Sequence, residues 1–386
     1  MRILIGLTYY RPHYSGLTIY AERLARALAL LGHEVTVLTS QFSPSLPLLD
    51  KVDGVTIVRV PPLMRISKGI IMPSMPMIAW KLIQEADVVN LHVPQMDAFY
   101  IAWMAYLQKK PVVLTYQCDL QLPSGFINFI ADKMSHIANH VAAKPSAAIV
   151  NTTLDYAEHS PFLQRYLDKL HIINPPVELV PITDADISDF RNKFGVKENE
   201  KVIGMASRLA TEKGVELLVE AMPAVLKKQP NARVLFVGPY ENVVGEDKYA
   251  QRIIPLVKQL GKHWSFLGIL SPTEMSAFFH ICDVLTLPSL NSTEAFGMVQ
   301  VEAMICGTPV VTSNLPGVRQ PALVTGMGKI FPIGDTTAFE TSILDVLENT
   351  TNYQSDIEKI ISAYSPENTA DEYVKLFEQL ISKGKP

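Results

Sequence analysis

Residues 201–237, KVIGMASRLATEKGVELLVEAMPAVLKKQPNARVLFV, hold one complete strand–loop–helix–strand unit. The apolar run 201–205 suits a buried strand, and 207–214 is a polar loop ending at Gly214. Residues 215–227 read as a helix and 233–237 as a second strand. A strand, a crossover helix and a further strand make a parallel pair covered on its faces by helices. The theme continues toward the C-terminus, with strands expected at 265–267, 284–287 and 309–312. It also runs backward, with strands expected at 2–7, 34–39, 87–92, 111–115 and 147–151. The helix after the first of these aligns Leu17, Ala21, Leu24, Ala25, Leu28 and Leu31 on one stripe, and Gly32-His33 ends it. Further helices are expected near 98–109 and 126–142.

Two such series predict an α/β chain of two Rossmann-like, doubly wound parallel-sheet domains facing a central cleft. The turn-rich stretch INPPVELVPITDAD, residues 173–186, is the natural linker. The expected domains are 1–178 and 179–365, followed by a closing helix, 366–386, that packs back on the first. A length of 386 residues fits two cores better than one. Apolar residues at 48% and charged residues at 19% exclude a disordered chain. A net charge of -4 provides no general attraction for nucleic acid. Cys118, Cys282 and Cys306 show no CxxC spacing, which fits a reducing compartment and no zinc site. The N-terminal apolar run reads as a first strand, not a signal peptide. No apolar run reaches the ~18 residues of a spanning helix; the nearest, 98–107, is cut short by Lys109 and Lys110. The expectation is a cytoplasmic protein, soluble or at the inner face of the membrane.

In open parallel sheets, ligands sit beyond the carboxyl ends of the strands. Three segments of the second half put polar groups there. In 204–214, Arg208 and Lys213 lie on the loop between a strand and a helix, where two cations suit a diphosphate. In 288–304, PSLNSTEAFGMVQVEAM, Glu294 and Glu302 are separated by seven residues. Gly297 permits a close turn there, and the amides of Phe296, Gly297 and Met298 would face an anion at a helix start. Residues 307–312, GTPVVT, turn tightly into the next strand. Each segment alone is ordinary loop chemistry; together, in order and on strand-end loops, they are not.

With these residues the chain resembles glycosyltransferase family 4, whose two-domain fold is called GT-B, over nearly its whole length. The matching pieces are Ser207-Arg-Leu with Glu212-Lys-Gly, Pro288-Ser and Glu294-Ala-Phe-Gly with Val301-Glu-Ala-Met, and Gly307-Thr-Pro-Val-Val. In the first half they are Pro12 to Gly16, Glu22-Arg-Leu-Ala-Arg-Ala-Leu and Gly32-His-Glu-Val. The resemblance implies a retaining, metal-independent transfer of a sugar from a UDP-sugar or GDP-sugar to a glycan or lipid-linked acceptor. The donor would bind the second domain and the acceptor the first, with no cofactor and no nucleic-acid partner. By the same resemblance Arg208 and Lys213 would clamp the diphosphate, and Glu294 would contact the transferred sugar. Glu302 would hold the ribose, and the amides of Phe296 to Met298 the sugar and phosphate oxygens. Leu270 would meet the base through its backbone, and Gly16 would let the first loop approach phosphate or acceptor. Such enzymes often reach lipid-linked acceptors through an apolar face. The run 70–82, IIMPSMPMIAWKL, with Phe126, Ile127, Phe129 and Ile130, is a candidate for it; core packing of helices is the alternative.

Two positions depart from the family pattern. Ser15 stands where a first glycine is usual, and Gln117 stands where a histidine is usual. An amide can donate a hydrogen bond but cannot take a proton, so Asp119 becomes the candidate base, or else a cap of the next segment. Two other functions stay open: a nucleotide-sugar epimerase, and a sugar-nucleotide-binding protein with impaired catalysis. An epimerase would need an acid and a base, with only Asp119 and His92 at hand. His13 could touch the acceptor. His136 and His140 have metal-compatible spacing but no third ligand in sequence. Asp184-Ala-Asp186 matches a metal-binding triplet, but without a strand before it the triplet reads as a helix start.

Overall fold

Strands buried on both faces carry each sheet: all six residues of Val88–Val93 are buried, as are the last four of Arg2–Gly6. Such runs need a covered parallel sheet, because an alternating pattern would leave one face in water. The computed structural model describes residues 1–66, 69–121 and 126–383, without the side chains of residues 66 and 126–131. The chain divides into two units, Met1–Val177 with Tyr364–Pro386, and Glu178–Ala363.

The first unit contains β1 (Arg2–Gly6), α1 (Gly16–Leu30), β2 (Glu34–Ser40), β3 (Leu49–Val52) and β4 (Val55–Val60). A hairpin of β5 (Met64–Ile66) and β6 (Gly69–Ile71) leads to α2 (Met75–Glu85) and β7 (Val88–Val93). Next come α3 (Ala98–Leu107), β8 (Val112–Tyr116), α4 (Phe126–Ala143), β9 (Ala148–Asn151), α5 (Leu154–His159) and β10 (Leu170–Ile172). Eight strands form the sheet in the order β10-β9-β8-β7-β1-β2-β4-β3. Only β3 runs antiparallel, against β4. This edge corrects the purely parallel expectation, and its signal was present. Asp53-Gly54, both at positive φ, make the two-residue turn that joins two strands into a hairpin.

The second unit begins with α6 (Asp184–Phe194), β11 (Lys201–Ala206), α7 (Val215–Lys228), β12 (Ala232–Val237) and α8 (Asp247–Gln259). It continues through β13 (Trp264–Gly268), α9 (Pro272–Ile281), β14 (Val284–Leu287), α10 (Met298–Met304) and β15 (Val310–Ser313). α11 (Gln320–Thr325), β16 (Gly328–Phe331), α12 (Thr336–Glu348) and α13 (Ile357–Tyr364) complete the series. Its six parallel strands follow the order β13-β12-β11-β14-β15-β16.

The order reverses direction between β1 and β7 in the first sheet and between β11 and β14 in the second. Loops on either side of such a reversal diverge and leave a crevice at the carboxyl ends of the strands. That topology brings the loops after β11 and β14 side by side, although a whole series of elements separates them in sequence. The last helix, α14 (Pro366–Lys383), returns to the first unit. It buries Tyr373, Leu376 and Phe377, and its Tyr373 hydroxyl meets Tyr20 of α1 at 3.0 Å and Thr115 of β8 at 2.9 Å.

Candidate active site

The loop after β11 is fixed from several sides. Ser207 N donates to Val237 O at 2.9 Å, and Leu209 N to Pro239 O at 2.8 Å. Thr211 donates its amide and its hydroxyl to the buried Glu246 carboxylate, at 3.1 and 2.8 Å. Leu290 N donates to Glu212 O at 2.9 Å, tying this loop to the one after β14. Gly214 makes the contact possible: its φ is +64°, and a Cβ there would lie 2.1 Å from Pro288 O. Gly238 has the same function under the loop, where a Cβ would lie 2.2 Å from Ser207 O.

On this support the two expected cations are each paired with a carboxylate. Lys213 Nζ lies 2.5 Å from Glu294 Oε2, with side chains 19% and 16% exposed. Arg208 pairs with Glu212, four residues along the same loop. The sequence placed Lys213 and Glu294 in separate roles; the β11–β14 pairing makes them one ion pair, 81 residues apart. Each cation of the loop is therefore held in place and charge-balanced.

The loop after β14 enters α10 through Gly297, whose φ is +77°. A Cβ there would meet Leu287 Cδ2 at 2.4 Å and Gln300 Nε2 at 2.8 Å. Gln300, fully buried, donates from Nε2 to Phe296 O at 2.9 Å and Val318 O at 3.0 Å, holding the glycine turn in shape. Glu302 and Phe296 are buried beside it. Among the described residues, Ser207 Oγ, Ser289 Oγ, Thr293 Oγ1 and Gln300 Oε1 are buried atoms without a hydrogen-bond partner. Orphans are rare in folded proteins and require an explanation; gathered on these loops, they fit a ligand rich in hydroxyl and phosphate oxygens. Leu270, half-buried, follows β13 and precedes Ser271, which caps α9 in a reciprocal box with Glu274. Concave spaces of about 200 Å³ beside Arg11 and Arg59, and about 490 Å³ beside Tyr240 and Asp247, are lined by other residues.

Sequence reasoning noted Glu212 only as part of the Glu212-Lys-Gly piece, without a role, and missed Glu246 and Gln300. Gln300 had a signal, since it stands four residues after Phe296, the spacing at which a helical side chain reaches back. Glu246 had none.

In the first unit, Ser15 explains its own presence by capping α1: its hydroxyl accepts from Thr18 N at 3.3 Å. A Cβ on Gly16 would meet nothing within 4 Å, so the fold does not itself require glycine there. Gln117 continues β8, its amide donating to Val93 O at 2.9 Å, and its Nε2 donates to His92 Nδ1 at 3.2 Å. His92 is 0% exposed, and burial pushes its imidazole down to about 3, so it stays neutral. Asp119 is 5% exposed. It accepts from Tyr116 Oη at 2.7 Å and Ser160 Oγ at 2.8 Å on one oxygen, and from Tyr156 Oη at 3.2 Å on the other. Three hydroxyls thus occupy the candidate base, which ties β8 to α5 and the turn after it.

The remaining candidates are engaged elsewhere. His13 stacks on Tyr9 at 4.7 Å. His136 lies 3.7 Å from Asp132, and His140 pairs with Tyr166 at 3.0 Å. Among the described residues no three His, Cys, Asp or Glu side chains gather as for a metal ion. Asp184 and Asp186 lie in the first turn of α6, where Asp186 and Thr183 form a capping box. Of the apolar run 70–82, Ile70, Met72, Met75 and Ala79 are core, whereas Ile71, Met77 and Trp80 are exposed. The side chains of Phe126, Ile127, Phe129 and Ile130 lie outside the described residues. Next to α2, α3 exposes Phe99, Trp103, Tyr106 and Leu107. No helix of the described residues is long and apolar enough to cross a membrane.

Comparison with known proteins agrees with this fold. Residues 14–180 match the family described as Glycosyltransferase Family 4, and residues 186–362 match Glycosyl transferases group 1. An uncharacterized glycosyltransferase of Methanocaldococcus jannaschii is 26% identical over 83% of this chain and 82% of its own length. The alpha-monoglucosyldiacylglycerol synthase of Acholeplasma laidlawii is 25% identical over 81% of this chain and 80% of its own. Among solved structures, Anabaena HepE in complex with UDP and glucose superposes with a TM-score of 0.77 at 19% identity, covering 98% of this chain and 100% of that one.

Proposed function

Since the chain belongs to the family 4, or group 1, glycosyltransferases and has the GT-B fold, we propose that it transfers a sugar from a nucleotide-diphosphate donor to a glycan or lipid-linked acceptor. In this reading the reaction retains the anomeric configuration and needs no metal ion. The observation that carries it is the Lys213–Glu294 pair on the interlocked loops after β11 and β14.

Departure of a nucleoside diphosphate leaves negative charge on its terminal phosphate. Preorganised cations and amides stabilise that charge with no reorganisation at the moment of reaction. Lys213 and Arg208 supply the cations, and the amides of Phe296, Gly297 and Met298 supply donors. As the diphosphate takes over Lys213, Glu294 is released toward the sugar, whose hydroxyls replace the lost ammonium contact. Glu302 receives the ribose, and the backbone at Leu270 the base. Gly16 gives the first loop its close approach, and Gln117 supplies the polar contact on the acceptor side. The epimerase alternative weakens, because both groups it would use are committed: His92 is buried and neutral, and Asp119 is held by hydroxyls. The binding-only alternative predicts sugar-nucleotide binding with neither transfer nor hydrolysis.

UDP-glucose and GDP-mannose are the first donors to screen by thermal unfolding. A donor at 100 times its dissociation constant adds about 2.7 kcal/mol of stability. The donor that binds should then be turned over equally with and without excess EDTA. Turnover that collapses in EDTA and returns with magnesium or manganese would overturn metal independence, and binding without any turnover would favour the binding-only protein.

The acceptor side of this reading includes a peripheral membrane contact at the inner, cytoplasmic face. Phe99, Trp103 and Tyr106 are spaced as one stripe of α3, with exposed Met77 and Trp80 on the neighbouring α2. Lys81, within α2, and Lys109, just beyond α3, are exposed on the same elements, an arrangement suited to anionic headgroups. The relative from Acholeplasma is named for a diacylglycerol product, which points the same way. Part of the protein should float with anionic liposomes and be released by salt, and Trp80→Ser combined with Trp103→Ser should remove most of it. Wild type that stays at the bottom of the gradient at every salt concentration assigns the stripe another role and favours a water-soluble acceptor.

A further inference from the structure

His92 is a buried polar side chain that the reaction above does not use. It is the next-to-last residue of β7, in the sheet interior at the edge of the β1–β7 reversal. Its Nδ1 accepts from Gln117 Nε2 at 3.2 Å, so its own proton resides on Nε2. That nitrogen is buried and has no partner among the described residues. Tyr20 meets the imidazole ring to edge, 5.6 Å between centroids at 69°. Tyr20 is itself fixed by the Tyr373 hydroxyl at 3.0 Å, and Tyr373 by Thr115 at 2.9 Å, whose hydroxyl also accepts from Asn90 Nδ2 at 2.9 Å. A chain of contacts thus runs from the last helix through α1 to the imidazole, and from it to the Gln117 amide.

An apolar residue at position 92 would fill this space without an orphaned N–H. A carboxylate would carry a charge into the sheet interior. A neutral imidazole offers Gln117 an acceptor there without a charge, at the cost of one unsatisfied donor. We propose that His92 is a positioning residue: it takes one amide hydrogen of Gln117, so that the carboxamide meets the acceptor in one orientation. The carbonyl oxygen and the second N–H of Gln117 are then left for the incoming substrate. This rests on the reading that Gln117 serves the acceptor side.

Two conservative variants separate positioning from packing. In His92→Asn the side-chain oxygen falls where Nδ1 was, whereas the longer amide of His92→Gln reaches the Nε2 position and leaves Nδ1 unreplaced. In ¹⁵N spectra of the substrate-free protein, wild-type His92 should carry its proton on Nε2. The Gln117 side-chain amide should exchange slowly in wild type and His92→Asn, and fast in His92→Gln. Consumption of UDP-glucose or GDP-mannose should keep kcat within about threefold in His92→Asn and lose about tenfold or more in His92→Gln, with UDP affinity unchanged in both. In a Gln117→Ala background, His92→Gln should add no further loss, because the two residues then act as one. A proton on Nδ1, or equal amide exchange in all three proteins, overturns the proposal whatever the assay shows. So does a His92→Gln loss of the same size in both backgrounds, which marks a packing role. Full activity in Gln117→Ala alone is a different failure: it removes Gln117 from the acceptor side and leaves the His92 contact standing.

Discussion

Gly214→Ala is expected to lower the stability of the second unit by about 2–5 kcal/mol, the sum of left-handed backbone strain and overpacking, and to abolish UDP binding. The added methyl would lie 2.1 Å from Pro288 O, and neither atom belongs to a flexible side chain that could swing away. The loops after β11 and β14 must separate, breaking the Leu290 N to Glu212 O bond and pulling Lys213 from Glu294. Gly334→Ala is the control. Its φ is +77°, but a Cβ there meets nothing within 4 Å, so it should cost only the backbone strain of about 1–2 kcal/mol. Urea unfolding at constant slope reads the difference. Equal midpoints in the two variants would show that the loops yield without cost, and the interlocked site would lose its structural basis.

Lys213→Ala should weaken UDP binding by about 1.5–3 kcal/mol, the range for a charged hydrogen bond, and should lower kcat/KM for transfer by about 10²–10³-fold. The two effects differ because charge on the diphosphate grows as the sugar leaves. Glu294→Gln removes the other half of the same pair and should behave differently. It frees the ammonium from its carboxylate, so UDP should bind as well as in wild type or better, while transfer falls. Arg208→Ala should have the smaller effect of the two cations, since Arg208 is the more exposed, 34% against 19% for Lys213. Calorimetry with UDP separates the variants before any acceptor is known. Unchanged UDP affinity in Lys213→Ala would remove the clamp. Tighter binding in Lys213→Ala than in Glu294→Gln would reverse the proposed exchange of partners.

The strand and helix alternation, the two series and the polar strand-end loops were all legible in the sequence. They rest on short-range physics: the period of apolar residues sets the element, and glycine or a capping hydroxyl sets its end. Gly214 and Gly297 were legible as turns for the same reason, and Asp184-Ala-Asp186 as a helix start. The antiparallel edge of β3 was equally readable in Asp53-Gly54 and was overlooked. By contrast, Lys213 meeting Glu294, 81 residues away, depended on β11 lying beside β14, an order that no local pattern encodes. Glu246 under the Thr211 turn and Gln300 across Phe296 and Val318 came from the same source. In the first unit, Asp119 looked available as a base only while the hydroxyls of Tyr156 and Ser160, 37 and 41 residues on, were out of view. Gln117 looked like an isolated substitution until β7 placed His92 against it. Local sequence determined which groups stand at the strand ends. Strand order decided which of them are partners, because a buried charge or amide takes its character from whatever the sheet brings within hydrogen-bond distance.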